Sequence, residues 1–130
     1  MTDLELINLA VEARKNSYSP YSGFAVGAAL LGKSGKIYLG CNVENAAYTP
    51  TNCAERTAIF QAVYDGHRDF EAIAVCGGKE GNITGLFPPC GVCRQVMREF
   101  CRDDFKVYMI KPDGYECKTL AEILPSGFSL

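Results

Sequence analysis

Two helix starts that carry cysteine constrain this chain more than any other feature. Pro89-Cys90-Gly91-Val92-Cys93 opens one helical run, and Cys53, in Cys53-Ala54-Glu55, opens another 37 residues before Cys90. Each follows a proline-containing loop. A Cys-x-x-Cys pair on a first helical turn aims both sulfurs in one direction. Unpaired backbone N–H groups and the positive end of the helix dipole favour thiolate there. A fold that brings the two helix starts together can set a zinc ion between them. For Cys90 and Cys93 alone a redox dithiol is a serious rival, because the same spacing serves thioredoxin-like chemistry.

The cysteine count points the same way. There are seven in 130 residues, an odd number, where secreted disulfide frameworks have even ones. The opening MTDLELINLAVEARKN has acids where a signal peptide needs bases and lacks a continuous apolar core. No run of ~18 apolar residues is available to span a membrane. A reducing, cytoplasmic setting is expected, in which clustered cysteines bind metal or do chemistry. Cys41, Cys76, Cys101 and Cys117 are read as packing residues, since free cysteine behaves as a small hydrophobe. With 48% hydrophobic and 22% charged residues, the chain reads as a globular domain. Its net charge of −2 offers no basic stripe to track a phosphate backbone, so a nucleic-acid partner is not expected and a small, weakly charged or neutral substrate is.

The pattern along the chain is that of one α/β domain over residues 1–130. Thr2 and Glu5 form a capping box before an amphipathic helix whose apolar face is Leu4, Ile7 and Val11, with Leu6, Leu9, Ala10 and Ala13 beside it. Phe24–Leu31 and Lys36–Cys41 read as a hairpin about Gly32-Lys33-Ser34-Gly35. Helix Cys53–Tyr64, strand Ala72–Cys76, a loop over 77–89 and helix Cys90–Arg102 follow. Strands Lys106–Ile110 and Tyr115–Lys118 flank a Pro112-Asp113-Gly114 turn, and Thr119 with Glu122 caps a final short helix. The order αββαβαββα implies a mixed sheet of about five strands with helices on both faces. Its two strand–helix–strand crossovers are expected to be right-handed, with their strands parallel.

Glu55 separates the metal reading from the dithiol reading. Beside Cys53 it completes the His/Cys-x-Glu half of the zinc deaminase signature, and Pro89-Cys90-Gly91-Val92-Cys93 supplies the other half. Standing alone, Glu55 would be better read as an N3 capping residue behind Asn52. Further motifs accompany the pair. They are Tyr18-Ser19-Pro20-Tyr21-Ser22 before Phe24-Ala25-Val26-Gly27-Ala28-Ala29, Gly40-Cys41-Asn42-Val43-Glu44-Asn45-Ala46, Cys53-Ala54-Glu55-Arg56-Thr57-Ala58, and Pro89-Cys90-Gly91-Val92-Cys93-Arg94-Gln95. On these, the sequence from Ser17 to about Phe128 closely resembles the small, homotetrameric, zinc-dependent cytidine deaminases.

That resemblance implies a three-layer α/β/α fold. It implies hydrolytic deamination of cytidine and 2′-deoxycytidine to the uridines, a step of pyrimidine salvage. By the same resemblance Cys53, Cys90 and Cys93 are the ligands of one zinc ion per chain, with a water in fourth position, and Glu55 is the proton shuttle. Asn42 and Glu44 bind the ribose 3′-hydroxyl, Phe24 lines the nucleoside pocket, and the Ala54 N–H receives the pyrimidine 2-carbonyl. Tyr48 and Phe128 match residues that reach a neighbouring subunit's pocket, which implies a homotetramer with shared sites. The sequence departs from the family pattern at Pro88, where serine or threonine is usual but the backbone carbonyl is what is used. It also departs in its tail, which stops at Leu130.

The residue types suit this chemistry. Zinc lowers the pKa of a bound water toward ~7, and three protein ligands leave a position open for it. One carboxylate beside that water can take its proton, deliver it to N3 and carry another to the departing ammonia. Three thiolates would leave the metal core with a formal charge of −1. Arg56 and Arg94, each directly after one of these residues, are expected to donate to thiolate and draw charge away. His67, the lone histidine, reads as an exposed loop residue. Rival readings are a blasticidin-type antibiotic deaminase, a polynucleotide deaminase, which the acidic balance opposes, and a structural zinc module. The last would need a fourth protein ligand from Cys41, Cys76, Cys101 or His67.

Overall fold

Local signals start the helices within a residue of where the sequence places them, although the helix expected to reach Arg102 closes at Phe100. The computed structural model describes residues 1–79 and 82–130. Helix α1 (Asp3–Ala13) begins at Thr2, whose hydroxyl accepts the Glu5 N–H at 3.2 Å while the Glu5 carboxylate accepts the Thr2 N–H at 3.4 Å. A short 3₁₀ turn, Arg14–Asn16, continues it. The buried face of α1 is Leu6, Ile7, Ala10 and Ala13; Leu4, expected on the apolar face, is 61% exposed. The cause is a close approach to the sheet. A Cβ on Gly27 would lie 2.2 Å from the Ala10 carbonyl oxygen and 2.6 Å from the Arg14 nitrogen, so the helix seats its small residues there.

Strands β1 (Phe24–Gly32) and β2 (Ile37–Cys41) form the expected hairpin, with Gly27 opposite Cys41 and Leu31 opposite Ile37. Helix α2 (Ala54–Tyr64) leads to β3 (Phe70–Lys79), and α3 (Gly91–Phe100) leads to β4 (Lys106–Lys111). The chain ends with β5 (Gly114–Thr119) and α4 (Leu120–Ile123), whose Thr119–Glu122 capping box is formed. The five-stranded sheet has the order β2-β1-β3-β4-β5. β3 and β4 are parallel; β2 and β3 are each antiparallel to β1 between them, so they run the same way. Both crossovers therefore join strands of one direction, the first by stepping over β1.

β3 is longer than its apolar centre suggests, because pairing with β1 runs from Phe24 opposite Lys79 to Gly32 opposite Phe70. Gly77 and Gly78, expected in a loop, are strand residues. Their missing side chains admit a later part of the chain. A Cβ on Gly77 would meet the Phe87 ring at 2.7 Å, and one on Gly78 would meet the Asn82 carbonyl oxygen at 1.7 Å. Of the expected loop over 77–89, residues 80 and 81 lie outside the described residues.

Side chains alternate across the sheet and make two cores. Val26, Ala28, Ile73, Val75, Val107 and Met109 pack under α2, α3 and α4. Ala29, Ala74, Cys76, Tyr108 and Ile110 pack under α1. The result is a three-layer α/β/α fold. Gly40 positions α2: a Cβ there would lie 2.3 Å from the Ala54 carbonyl oxygen and 2.6 Å from the Ala58 nitrogen, so the start of this helix rests directly on β2.

Candidate active site

Cys53 and Cys90 are the N-cap residues of α2 and α3, both in extended backbone, and Cys93 lies one turn into α3. The fold brings these two helix starts together. Cys53 Sγ lies 3.8 Å from Cys90 Sγ, Cys90 Sγ lies 3.4 Å from Cys93 Sγ, and all three sulfurs fall within 4.8 Å of one another. Thiolates bound tetrahedrally to zinc at ~2.3 Å stand about 3.8 Å apart, so the trio has the right size for that ion. Cys90 Sγ also accepts the Cys93 N–H at 3.4 Å, capping α3. Among the described residues, no further histidine, cysteine or carboxylate joins this group. The three sulfurs leave a fourth position open, as a catalytic rather than a structural zinc requires. A redox dithiol would use two of them and leave Cys53 without a role.

The trio is already polarised. The neighbouring Cys93 thiol, backed by Arg56, holds Cys53 down at about 5. Cys93 is pushed up, first by its closeness to Cys53 and then by burial. One ionised sulfur thus keeps protons on its neighbour, and a divalent cation would let all three ionise. Arg56 sits as expected, with Nη2 donating to Cys53 Sγ at 3.3 Å.

Glu55, on the first turn of α2, is 2% exposed, and its Oε1 has no hydrogen-bond partner among the described residues. Burial first, and the Cys53 thiolate after it, push its carboxyl up to about 7. The capping role considered for Glu55 is not the one it takes. Cys53, not Asn52, is the N-cap, and Asn52 Nδ2 donates to Thr57 Oγ1 at 3.1 Å instead. The Cys53 side chain makes no capping hydrogen bond to α2, and among the described residues no side chain accepts the Ala54 N–H. Glu55, Cys53 and Cys90 line a cavity of about 240 Å³, together with Phe24, Val26, Asn42, Glu44, Ala54, Phe87 and Pro88. A cavity of that size with a few converging polar groups suits a small ligand.

The remaining expected residues divide. Phe24, Asn42, Glu44 and Ala54 are brought to the cavity. Asn42 is buried and also braces the wall: Oδ1 accepts the Val26 N–H at 2.9 Å and the Ser17 hydroxyl at 2.5 Å, while Nδ2 donates to the Phe24 carbonyl at 2.8 Å. Glu44 accepts the N–H groups of Tyr21 and Ser22 at 3.0 and 3.1 Å, and the Ser22 hydroxyl. The Ser22 hydroxyl is the main reason its carboxyl sits below the ordinary glutamate range. Arg94 departs from expectation. Its guanidinium holds the Pro89 carbonyl at 2.8 Å and the Ile123 carbonyl at 2.7 Å, not a sulfur, because α4 packs against α3 and offers its C-terminal carbonyls. Tyr48 and Phe128 lie outside the cavity, 76% and 66% exposed. His67 is half-buried, with its ring 5.6 Å from Tyr38 and Nε2 3.7 Å from Asp65.

Sequence reasoning missed Phe87, Ser22 and Arg14. Phe87 stands just ahead of Pro88-Pro89-Cys90, and that adjacency was its one signal. Ser22 becomes visible only once β1 and the Asn42–Asn52 loop are side by side. Arg14 is 6% exposed and donates to the carbonyls of Ala25, Gly78 and Asn82 at 2.8–2.9 Å.

The chain is similar to known proteins over nearly its whole length. Residues 1–109 match the family model "Cytidine and deoxycytidylate deaminase zinc-binding region". A cytidine deaminase of Sporosarcina psychrophila is 52% identical over 126 residues, covering 96% of this chain and 90% of that protein. The crystal structure of a cytidine deaminase from Burkholderia pseudomallei superposes with a TM-score of 0.91 at 44% identity, covering 98% of this chain and 100% of the other. That of Mycobacterium tuberculosis gives 0.83 at 35% identity over the whole of both chains.

Proposed function

The chain belongs to the cytidine and deoxycytidylate deaminases, and from this we propose that it is a zinc-dependent enzyme hydrolysing cytidine and 2′-deoxycytidine to uridine and 2′-deoxyuridine with release of ammonia. The observation that carries the reading is Glu55: a buried carboxyl with an unpartnered oxygen, beside three sulfurs spaced for zinc, in a cavity sized for a small ligand.

In this reading Cys53, Cys90 and Cys93 hold the metal. When bound, zinc supplies the Lewis acidity that makes water a nucleophile near neutral pH. Glu55 takes the proton released by the attacking water on a carboxylate oxygen and delivers it to N3 of the ring. It then takes the proton of the new C4 hydroxyl and passes it to the amino group, so that the C4–N bond breaks, ammonia leaves and the oxygen stays on C4 as the carbonyl of the uridine. One group serves both transfers because it shares a helix turn with Cys53. Arg56, donating to the Cys53 sulfur, offsets the excess negative charge of three thiolates. Arg94 acts differently from its neighbour in role: by gripping the Pro89 carbonyl it fixes the backbone that presents Cys90. The Ala54 N–H, at a helix start with no side-chain cap, receives the 2-carbonyl. Phe24 packs against the base. Glu44, pinned by Tyr21 and Ser22 and still carrying free lone pairs, accepts the ribose 3′-hydroxyl, with Asn42 beside it. Pro88, which lines the cavity, keeps the backbone carbonyl that this reading assigns to the leaving amine.

The test is an ultraviolet assay of cytidine conversion. We expect turnover that is lost after treatment with a zinc chelator and restored by zinc. Absence of turnover in zinc-loaded protein would overturn the reading.

We further read residues 1–130 as one deaminase domain that works in the cytoplasm in pyrimidine salvage and assembles as a homotetramer with shared sites. Tyr48 borders a depression, lined by Tyr21, Ser22, Glu44 and Thr51, that shares three of these residues with the central cavity. Two large aromatics exposed on loops, Tyr48 and Phe128, support this reading, since shared sites would give them a neighbour's pocket to enter. Light scattering is expected to return four times the mass of one chain; a fully active monomer would exclude shared sites.

A further inference from the structure

We propose that Phe87 is a specificity-determining residue, a fixed wall that admits a cytosine ring bare at C5 and hinders a C5-alkylated one; the proposal rests on the cytidine reading above. Phe87 lines the same cavity as Cys53, Glu55 and Cys90, and its ring centroid lies 6.0 Å from that of Phe24 at 33°.

The wall has little room to retreat. Its ring sits on Gly77, where a Cβ would come within 2.7 Å of Cδ2 and 2.9 Å of Cε2. Before it in the chain, the buried Arg14 guanidinium ties Ala25, Gly78 and Asn82 together through their carbonyls. After it, two prolines with fixed φ lead to the Pro89 carbonyl, held by Arg94 at 2.8 Å. A side chain braced on both sides acts as a rigid gauge rather than as a yielding contact.

The ring edge that meets this wall follows from the chemistry. C4 must face the sulfurs. N3 and C2 must face the start of α2, where Glu55 and Ala54 lie. The sugar extends from N1 toward Asn42 and Glu44. C5, next to C4 on the edge away from α2, is then left facing the segment that leads into Cys90, whose ring is Phe87. One methylene too many or too few in an apolar pocket changes discrimination by roughly 10–200-fold.

The experiment compares kcat/KM for cytidine and 5-methylcytidine, together with calorimetric affinities for uridine and 5-methyluridine, in the parent protein, Phe87→Val and Phe87→Leu. The parent is expected to favour the unmethylated member of each pair by about tenfold or more. Phe87→Val should reduce both preferences to about threefold or less with zinc retained, and Phe87→Leu should move them in the same direction by less. A parent that does not discriminate, or a preference unmoved in a zinc-loaded variant, overturns the proposal. Loss of zinc from both variants would mark Phe87 as structural and overturn it as well. If the parent binds neither nucleoside, the substrate reading fails and this one with it; binding with a preference indifferent to Phe87 sinks this one alone.

Discussion

Replacing Glu55 by glutamine is expected to lower cytidine turnover by at least about 10²–10⁴-fold while zinc content and fold persist. That range corresponds to roughly 3–5 kcal/mol of barrier. Glutamine keeps the shape of the side chain but cannot accept a proton from water and return it to N3. The fold has no reason to fail. Glu55 does not cap α2, and its Oε1 makes no hydrogen bond that the change would remove. Burial already opposes ionisation of the carboxyl, holding it at about 7, so a neutral amide relieves that cost. The new amide hydrogens need a partner, at a cost of about 1–3 kcal/mol if they find none. The two effects oppose each other, and the thermal midpoint should move by only a few degrees. Affinity for a hydrated-pyrimidine mimic of the transition state should fall with kcat, since its hydroxyl and N3–H both need the carboxylate. A zinc-loaded Glu55→Gln protein turning over at the parent rate would end the mechanism.

The double change Cys90→Ala/Cys93→Ala is expected to remove the metal and the activity together. Two of the three clustered sulfurs go, and one thiolate at Cys53 cannot hold a zinc ion against solvent and chelators. Elemental analysis should fall from about one zinc per chain to near none, as three-thiolate ligation requires. Cys90 Sγ accepts the Cys93 N–H, so α3 also loses a cap, a weak one because a thiol sulfur is a poor acceptor. One further effect distinguishes loss of the metal from this damage. Stability should also stop responding to added zinc, because a ligand stabilises a fold only in proportion to its binding. Full zinc occupancy in the double variant would place the metal elsewhere.

Much of this molecule was written locally. Both capping boxes, Thr2–Glu5 and Thr119–Glu122, form as their i,i+3 spacing dictates, because the partners lie within one turn of each other. Cys90 and Cys93 are near neighbours for the same reason. The Cys53-Ala54-Glu55 signature pointed to a third sulfur and a carboxyl although nothing local connects them to Cys90, and the fold brings that sulfur into the cluster and that carboxyl to the cavity beside it. Other features depend on surfaces far apart in the chain. Leu4 faces outward because Gly27 draws Ala10 and Arg14 onto β1. Gly77 and Gly78 extend β3 because Phe87 and Asn82 fold back over them, where residue type alone suggested a loop. Arg56 and Arg94 follow functional residues in the same way, yet one meets a sulfur and the other two carbonyls, because only α3 has α4 packed at its side. A guanidinium has the same donors wherever it stands. Its partner is whichever acceptor the packing of distant elements leaves within reach, and that choice is made by contacts no short window of sequence contains.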